Sequence, residues 1–177
     1  IYIAHRSIAA SHPDALALEI AMTAIGGTFT SPLMQELRVK RGLTYASYAT
    51  ISFHADGSLI NFNANVDQDD CAEALQLMLE IYARASRGDL SDTEISFAQN
   101  YIMHAYPLRI ESSEQHMYEL MRSRLIDRPK AHMIEYPDLI HHLSIESIRQ
   151  AARTHLAKHP YIVIMGDREL IHRALQN

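Results

Sequence analysis

Residues 59–66 read LINFNANV, and this strict alternation limits the fold more than any other feature of the chain. Side chains alternate along an extended backbone, so Ile60, Phe62, Ala64 and Val66 share one side and Asn61, Asn63 and Asn65 the other. A strand of this kind belongs to a sheet that is covered on one face and wet on the other. Asp56-Gly57-Ser58 just upstream predicts a hairpin turn. LTYASYATISFHA, before the turn, predicts the partner strand, with Tyr45, Ser47, Ala49, Ile51 and Phe53 on one face.

Helical signals surround this hairpin. IYIAHRSIAA predicts a strand, after which His12-Pro13-Asp14 opens a helix carrying Leu18, Met22 and Ile25, with Gly26-Gly27 as its stop. Ser31 is the expected N-cap of a second short helix, with Pro32 at its first position and Gly42 as its stop. After the hairpin, Ala72, Leu75, Leu79 and Tyr82 form an apolar helical stripe. Ser91-Asp92-Thr93-Glu94 is a capping box for a helix reaching about Tyr106-Pro107. Ser144 caps a long helix with Ile145, Ile148, Ala152 and Leu156, and YIVIMGD predicts a last strand ending at Gly166. The expected order is β-α-α-β-β-α-α-α-α-β-α. Strands and helices do not alternate regularly, so the fold expected is α+β: two layers, a mostly antiparallel or mixed sheet with helices packed on one face. No linker, repeat or low-complexity tract divides residues 1–177, which predicts a single domain.

Composition narrows the function classes. A net charge of −5, from 16 basic and 21 acidic residues, argues against a general nucleic-acid binder. No apolar run approaches the ~20 residues of a membrane span. The single cysteine, Cys71, excludes an internal disulfide and a multi-cysteine metal site, and among Asp69, Asp70 and Glu73 it reads as inert. The chain begins at Ile1 inside an apolar strand-like run, as a piece of something larger would.

Eleven histidines invite a search for metal ligands. His141 and His142 are adjacent, and on a helix they point about 100° apart, too far to share one ion easily. HMIEY at 132–136 is one residue away from the H-x-x-E-H zinc helix, but Tyr136 stands where the second histidine is needed, and Pro137 interrupts the helix. No G-x-S-x-G or G-x-x-x-x-G-K motif is present, and GGTFTS reads as a loop between helices.

The corner LRVKRGLTYAS, residues 37–47, remains. Arg38, Lys40 and Arg41 suit a helix C-terminus on dipole grounds alone, and Tyr45 suits the apolar side of its strand. The other reading is functional. A helix end and a strand start share one edge of a sheet, and a guanidinium and a phenol are both donors to an oxygen that carries or develops negative charge.

The segment IGGTFTSPLMQELRVKRGLTYASYA resembles the non-catalytic halves of the pitrilysin/insulinase family of zinc peptidases, which includes the mitochondrial processing peptidase. The resemblance rests on Gly26-Gly27, Ser31-Pro32-Leu33, Leu37-Arg38, Gly42-Leu43 and Tyr45, and extends over essentially the whole chain. Pro32 departs from it, standing where many relatives carry Arg. The resemblance implies two similar halves closing as a clamshell, one with zinc on H-x-x-E-H and one without. This chain looks like the zinc-less, C-terminal half, with no metal ligand or cofactor of its own. The implied partner is a zinc-bearing half, fused on the N-terminal side or a separate subunit. The implied substrate is an extended peptide, held partly by strand addition to the catalytic half. Arg38 and Tyr45 match the residues with which the zinc-less half reaches the substrate backbone. Some family members keep the fold but not proteolysis, which leaves a structural or peptide-binding subunit as the alternative.

Overall fold

A computed structural model describes residues 1–129, 132, 135–156 and 159–174. Four strands form one antiparallel sheet: β1 (Tyr2–Ser7), β2 (Thr44–His54), β3 (Gly57–Val66) and β4 (Tyr161–Val163), in the order β2-β3-β1-β4. The LINFNANV alternation holds. Ile60, Phe62 and Ala64 are buried, and Asn61, Asn63 and Asn65 face the other side. The hairpin turn is tighter than predicted. His54 pairs with Gly57, so Ala55 and Asp56 alone make the loop.

One helix layer covers the inner sheet face. It contains α1 (Ala15–Gly26) and α3 (Cys71–Ser86), while α2 (Pro32–Met34) runs on into a π-helical turn, Gln35–Lys40. Outside α1 lie α4 (Asp92–Arg109) and α7 (Ile145–His155), with α6 (Tyr136–His142) packed on α4. Two further helices are α5 (Ser113–Leu125) and α8 (Arg168–Ala174). Five helices thus separate β3 from β4 among the described residues, where four were expected. Because α1 touches β2 on one side and α4 and α7 on the other, it is buried nearly all round, as its apolar sequence requires.

Several boundaries differ from the sequence reading for identifiable reasons. Pro13 lies before the N-cap Asp14, and α1 starts at Ala15. In α3 the buried stripe is Cys71, Ala74, Met78, Ile81 and Ala85, rotated by about one residue from the predicted one, although Tyr82 is buried as expected. Pro107 does not end α4, which continues to Arg109, since a proline in the last turn forfeits only one helical hydrogen bond. β4 stops at Val163 because its partner β1 begins at Tyr2, opposite Val163. The Ser91/Glu94 capping box forms as expected, and a second one forms at Ser112 and Gln115.

Gly26 and Gly27 end α1 as expected, and Gly26 has a second role. It remains inside α1, and a Cβ there would lie 2.4 Å from the Ala49 backbone nitrogen and 2.5 Å from the Ala49 Cβ. The missing side chain lets α1 lie directly on β2. Gly26→Ala is therefore expected to destabilise the fold by about 1–3 kcal/mol, through a clash with backbone that cannot rotate away. Thermal unfolding checks this, and an unchanged midpoint would mean that α1 can ride off the sheet without loss.

Candidate functional site

The corner between the π-helical turn and β2 is built from an unusual helix end and an irregular strand start. Leu37 is fully buried and anchors the turn. The Gly42 N–H donates to the Arg38 carbonyl at 3.0 Å, and the Leu43 N–H to the Leu37 carbonyl at 2.8 Å. These are the closing bonds of a glycine-terminated helix, each one residue wider than in an α-helical stop, as the π geometry demands. Gly42, at φ 70°, takes the left-handed conformation that the closure needs.

The three cations of this turn divide into two kinds. Lys40 and Arg41 each reach a different carboxylate oxygen of Glu36 at 2.5 Å, and Arg41 also lies 3.4 Å from Glu73. The hydrogen bonds from Lys40 and then Arg41 pull the Glu36 carboxyl below the ordinary range. Arg38 is exposed, makes no ion pair among the described residues, and rests with its guanidinium 5.8 Å from the centre of the Phe29 ring. A favourable interaction with the helix end accounts for Lys40 and Arg41, but does not explain why Arg38 is left without a carboxylate.

Tyr45 corrects the sequence reading most directly. Simple alternation puts it with Ser47, Ala49 and Phe53 on the buried face, yet it is 94% exposed. The cause is a β-bulge. Thr44 pairs with Val66 and Ser47 with Ala64, so Tyr45 and Ala46 together oppose Asn65 alone. Thr44 and Ser47 are both buried, and the extra residue sends Tyr45 outward. The Thr44 hydroxyl holds the bulge, donating to the Asn65 carbonyl at 2.5 Å and accepting from the Ala46 N–H at 3.2 Å.

Arg38 and Tyr45 both line one open cleft of about 520 Å³, with Gly42, Leu43, Thr44, Asn65, Val66 and Asp67. The sequence reading did not identify Asp67, Asn65 or Thr44 as part of this site. Thr44 carries the one signal that was available, a hydroxyl directly before the tyrosine at a strand start.

The rejected candidates fall elsewhere. Glu135 is the N-cap of α6, so the helical frame of the HMIEY pattern breaks there, and Tyr136 is buried with its hydroxyl on Glu19. Met133 and Ile134 lie outside the described residues. His141 and His142 are exposed, with ring centres 5.4 Å apart. Cys71 is 3% exposed. Phe29, in the GGTFTS segment, lies in the turn between α1 and α2. The residues of the cleft do not make a catalytic zinc site, since it offers one carboxylate and no histidine.

Comparison with known proteins agrees with this architecture. The sequence profile of the Peptidase M16 inactive domain matches residues 1–102. An uncharacterized zinc protease of Mycobacterium bovis is 26% identical over 151 residues, which are 85% of this chain and 34% of that protein. The chain thus spans about a third of the length of the curated relatives it matches. Among solved structures, the peptidase M16 inactive domain from Pseudomonas fluorescens superposes with a TM-score of 0.78 at 21% identity, over 88% of this chain and 37% of that one. The inactive peptidase domain from Bordetella parapertussis gives 0.73 at 20% identity, over 91% of this chain and 90% of that one. With the profile match covering more than half of its residues, the chain belongs to the peptidase M16 inactive-domain family.

Proposed function

We propose that this chain is the zinc-less half of a metallo-endopeptidase, closing a peptide chamber and presenting Arg38 and Tyr45 to the substrate backbone. The observation that carries this reading is the contrast within one turn. Two cations are tied to Glu36, while Arg38 has no carboxylate partner among the described residues and lines a cleft that it shares with an outward-turned Tyr45. The family of zinc proteases to which its relatives belong supports it.

Zinc and the water it activates belong, in this reading, to a partner half, either fused or separate. The contribution of this chain is electrostatic. The Tyr45 phenol donates a hydrogen bond to a peptide carbonyl oxygen as that oxygen gains negative charge. The Arg38 guanidinium donates to a neighbouring carbonyl and fixes the register of the extended peptide. Donors placed where charge develops stabilise the transition state more than the bound substrate. Closure of the two halves would remove water and strengthen both contacts.

The test uses the complete protein or complex. Arg38→Ala and Tyr45→Phe are each expected to lower peptide cleavage sharply, with unchanged folding and unchanged zinc content. Wild-type cleavage rates in both variants would overturn the assignment and favour a structural or peptide-binding subunit.

A further inference from the structure

The fold brings together three side chains that are far apart in sequence and outside the cleft. His12 lies in the turn before α1, Asp14 is the N-cap of α1, and His155 is the last residue of α7. One potential ligand atom from each lies within 4.8 Å of the other two. The His155 Nε2 is 2.8 Å from the Asp14 Oδ2, and the His12 Nδ1 is 4.0 Å from the same oxygen. The two imidazole rings meet edge to face with centres 5.0 Å apart.

Asp14 sits at the helix position where an aspartate normally caps, yet its carboxylate makes no capping hydrogen bond. It turns instead toward the histidines. The carbonyl of His155 is itself fixed, accepting a hydrogen bond from the Ser7 hydroxyl at 3.2 Å, so that end of α7 is held against β1. The side chains of His12, Asp14 and His155 are 39%, 49% and 12% exposed, which leaves one side of the group open to water.

We propose that His12, Asp14 and His155 form a binding site for a divalent transition-metal ion, zinc in the first instance. Two imidazoles and one carboxylate are a ligand set for zinc, nickel or copper rather than for magnesium or calcium. Tetrahedral zinc with ligands at about 2.0–2.1 Å places its ligand atoms roughly 3.3 Å apart. The Asp14–His155 contact is slightly inside that separation and the His12–Asp14 contact slightly outside it, so small rotations complete the set. His12 lies outside any helix and can make the adjustment. Its Nδ1 would give up the 3.1 Å hydrogen bond it now accepts from the Asp14 N–H, which water can replace at this half-exposed position. The fourth ligand is solvent. Such an ion clasps the start of α1 to the end of α7, across 141 positions of sequence. The role is structural and separate from peptide cleavage, since none of the three residues lines the Arg38/Tyr45 cleft.

The test is calorimetric titration of the untagged 177-residue chain with zinc chloride. One ion per chain is expected, with a micromolar Kd. At free zinc a hundredfold above Kd, the unfolding midpoint should rise by roughly 5–10 °C. His12→Ala, Asp14→Asn and His155→Ala should each weaken binding at least tenfold, while a His141→Ala/His142→Ala double variant leaves it unchanged. Circular dichroism verifies folding, and the two more exposed substitutions, at His12 and Asp14, carry the test if His155→Ala fails to fold. Absence of binding at millimolar zinc overturns the proposal. So does binding that survives the His12 and Asp14 changes, or that is lost only with His141 and His142.

Discussion

Glu19→Ala is expected to destabilise the fold by about 3–5 kcal/mol, more than any other single change considered for this chain. Glu19 projects from the middle of α1 and accepts from the Arg128 Nη2 at 3.2 Å and from the Tyr136 hydroxyl at 3.1 Å. The Arg128 side chain is only 5% exposed, its guanidinium lies 5.3 Å from the centre of the Phe53 ring, and its buried Nε has no partner among the described residues. Tyr136 is 1% exposed, and its hydroxyl is held protonated, first by burial and then by the Glu19 charge. Removing the carboxylate therefore leaves a buried cation uncompensated and a buried donor unpaired. The cost arises from what is orphaned more than from the bonds themselves. Glu19→Gln keeps an acceptor for Tyr136 but not the charge, and should fall between wild type and Glu19→Ala. Urea denaturation should show a lower midpoint with an unchanged slope. A loss under 1 kcal/mol for Glu19→Ala would mean that Arg128 escapes to solvent at little cost.

Tyr45→Phe should lower kcat/KM for peptide cleavage by the complete protein about a hundredfold, near 3 kcal/mol of transition-state stabilisation. The substitution removes one hydroxyl from a side chain that is 94% exposed, so stability should change by no more than about 0.5 kcal/mol. Activity and folding thus separate cleanly. In the proposed role the loss should fall mainly on kcat, because a hydrogen bond to the substrate carbonyl would strengthen as that carbonyl becomes an oxyanion. Arg38→Lys is expected to recover only part of the loss in Arg38→Ala, since an ammonium lacks the planar donor fork. If both side chains engage one bound peptide, the double variant should lose less than the sum of the single losses. A Tyr45→Phe enzyme with a normal kcat would remove the phenol from the mechanism.

The parts of this structure differ in how legible they are in the sequence. The hairpin, its one-sided burial and the Ser91 capping box follow from patterns only a few residues long, and each appears in the fold. Ser31, Pro32 and Gly42 likewise mark the second helical segment where local rules place them. The Glu19–Arg128–Tyr136 group is different. Its members are separated by 109 and 117 positions, and only the tertiary fold brings Arg128 and Tyr136 to Glu19 on α1. The same holds for His155 and Asp14, so the histidines that lie close in sequence, His141 and His142, give no hint of that pairing. Gly26-Gly27 reads as a helix end and is one, while the approach of Ala49 to Gly26 is a long-range contact that no local rule announces. Arg38 and Tyr45 emerged from family resemblance. Local physics alone favours an ordinary cationic helix end and a packed strand tyrosine, and the separate engagement of Glu36 by Lys40 and Arg41 is visible only in three dimensions.

The bulge at Tyr45 and Ala46 has a consequence for how this corner can change. The outward direction of Tyr45 is fixed by a count, two residues against one, and not by the chemistry of Ala46. Many side chains at Ala46 would leave the direction intact, whereas a plain ladder of unchanged length running back from Ser47 would set Tyr45 opposite Val66 and turn it into the core. The pairing register therefore matters more here than several mismatches. Two sequences that share Arg, Gly-Leu and Tyr at the same spacing need not share the site if only one of them carries the bulge.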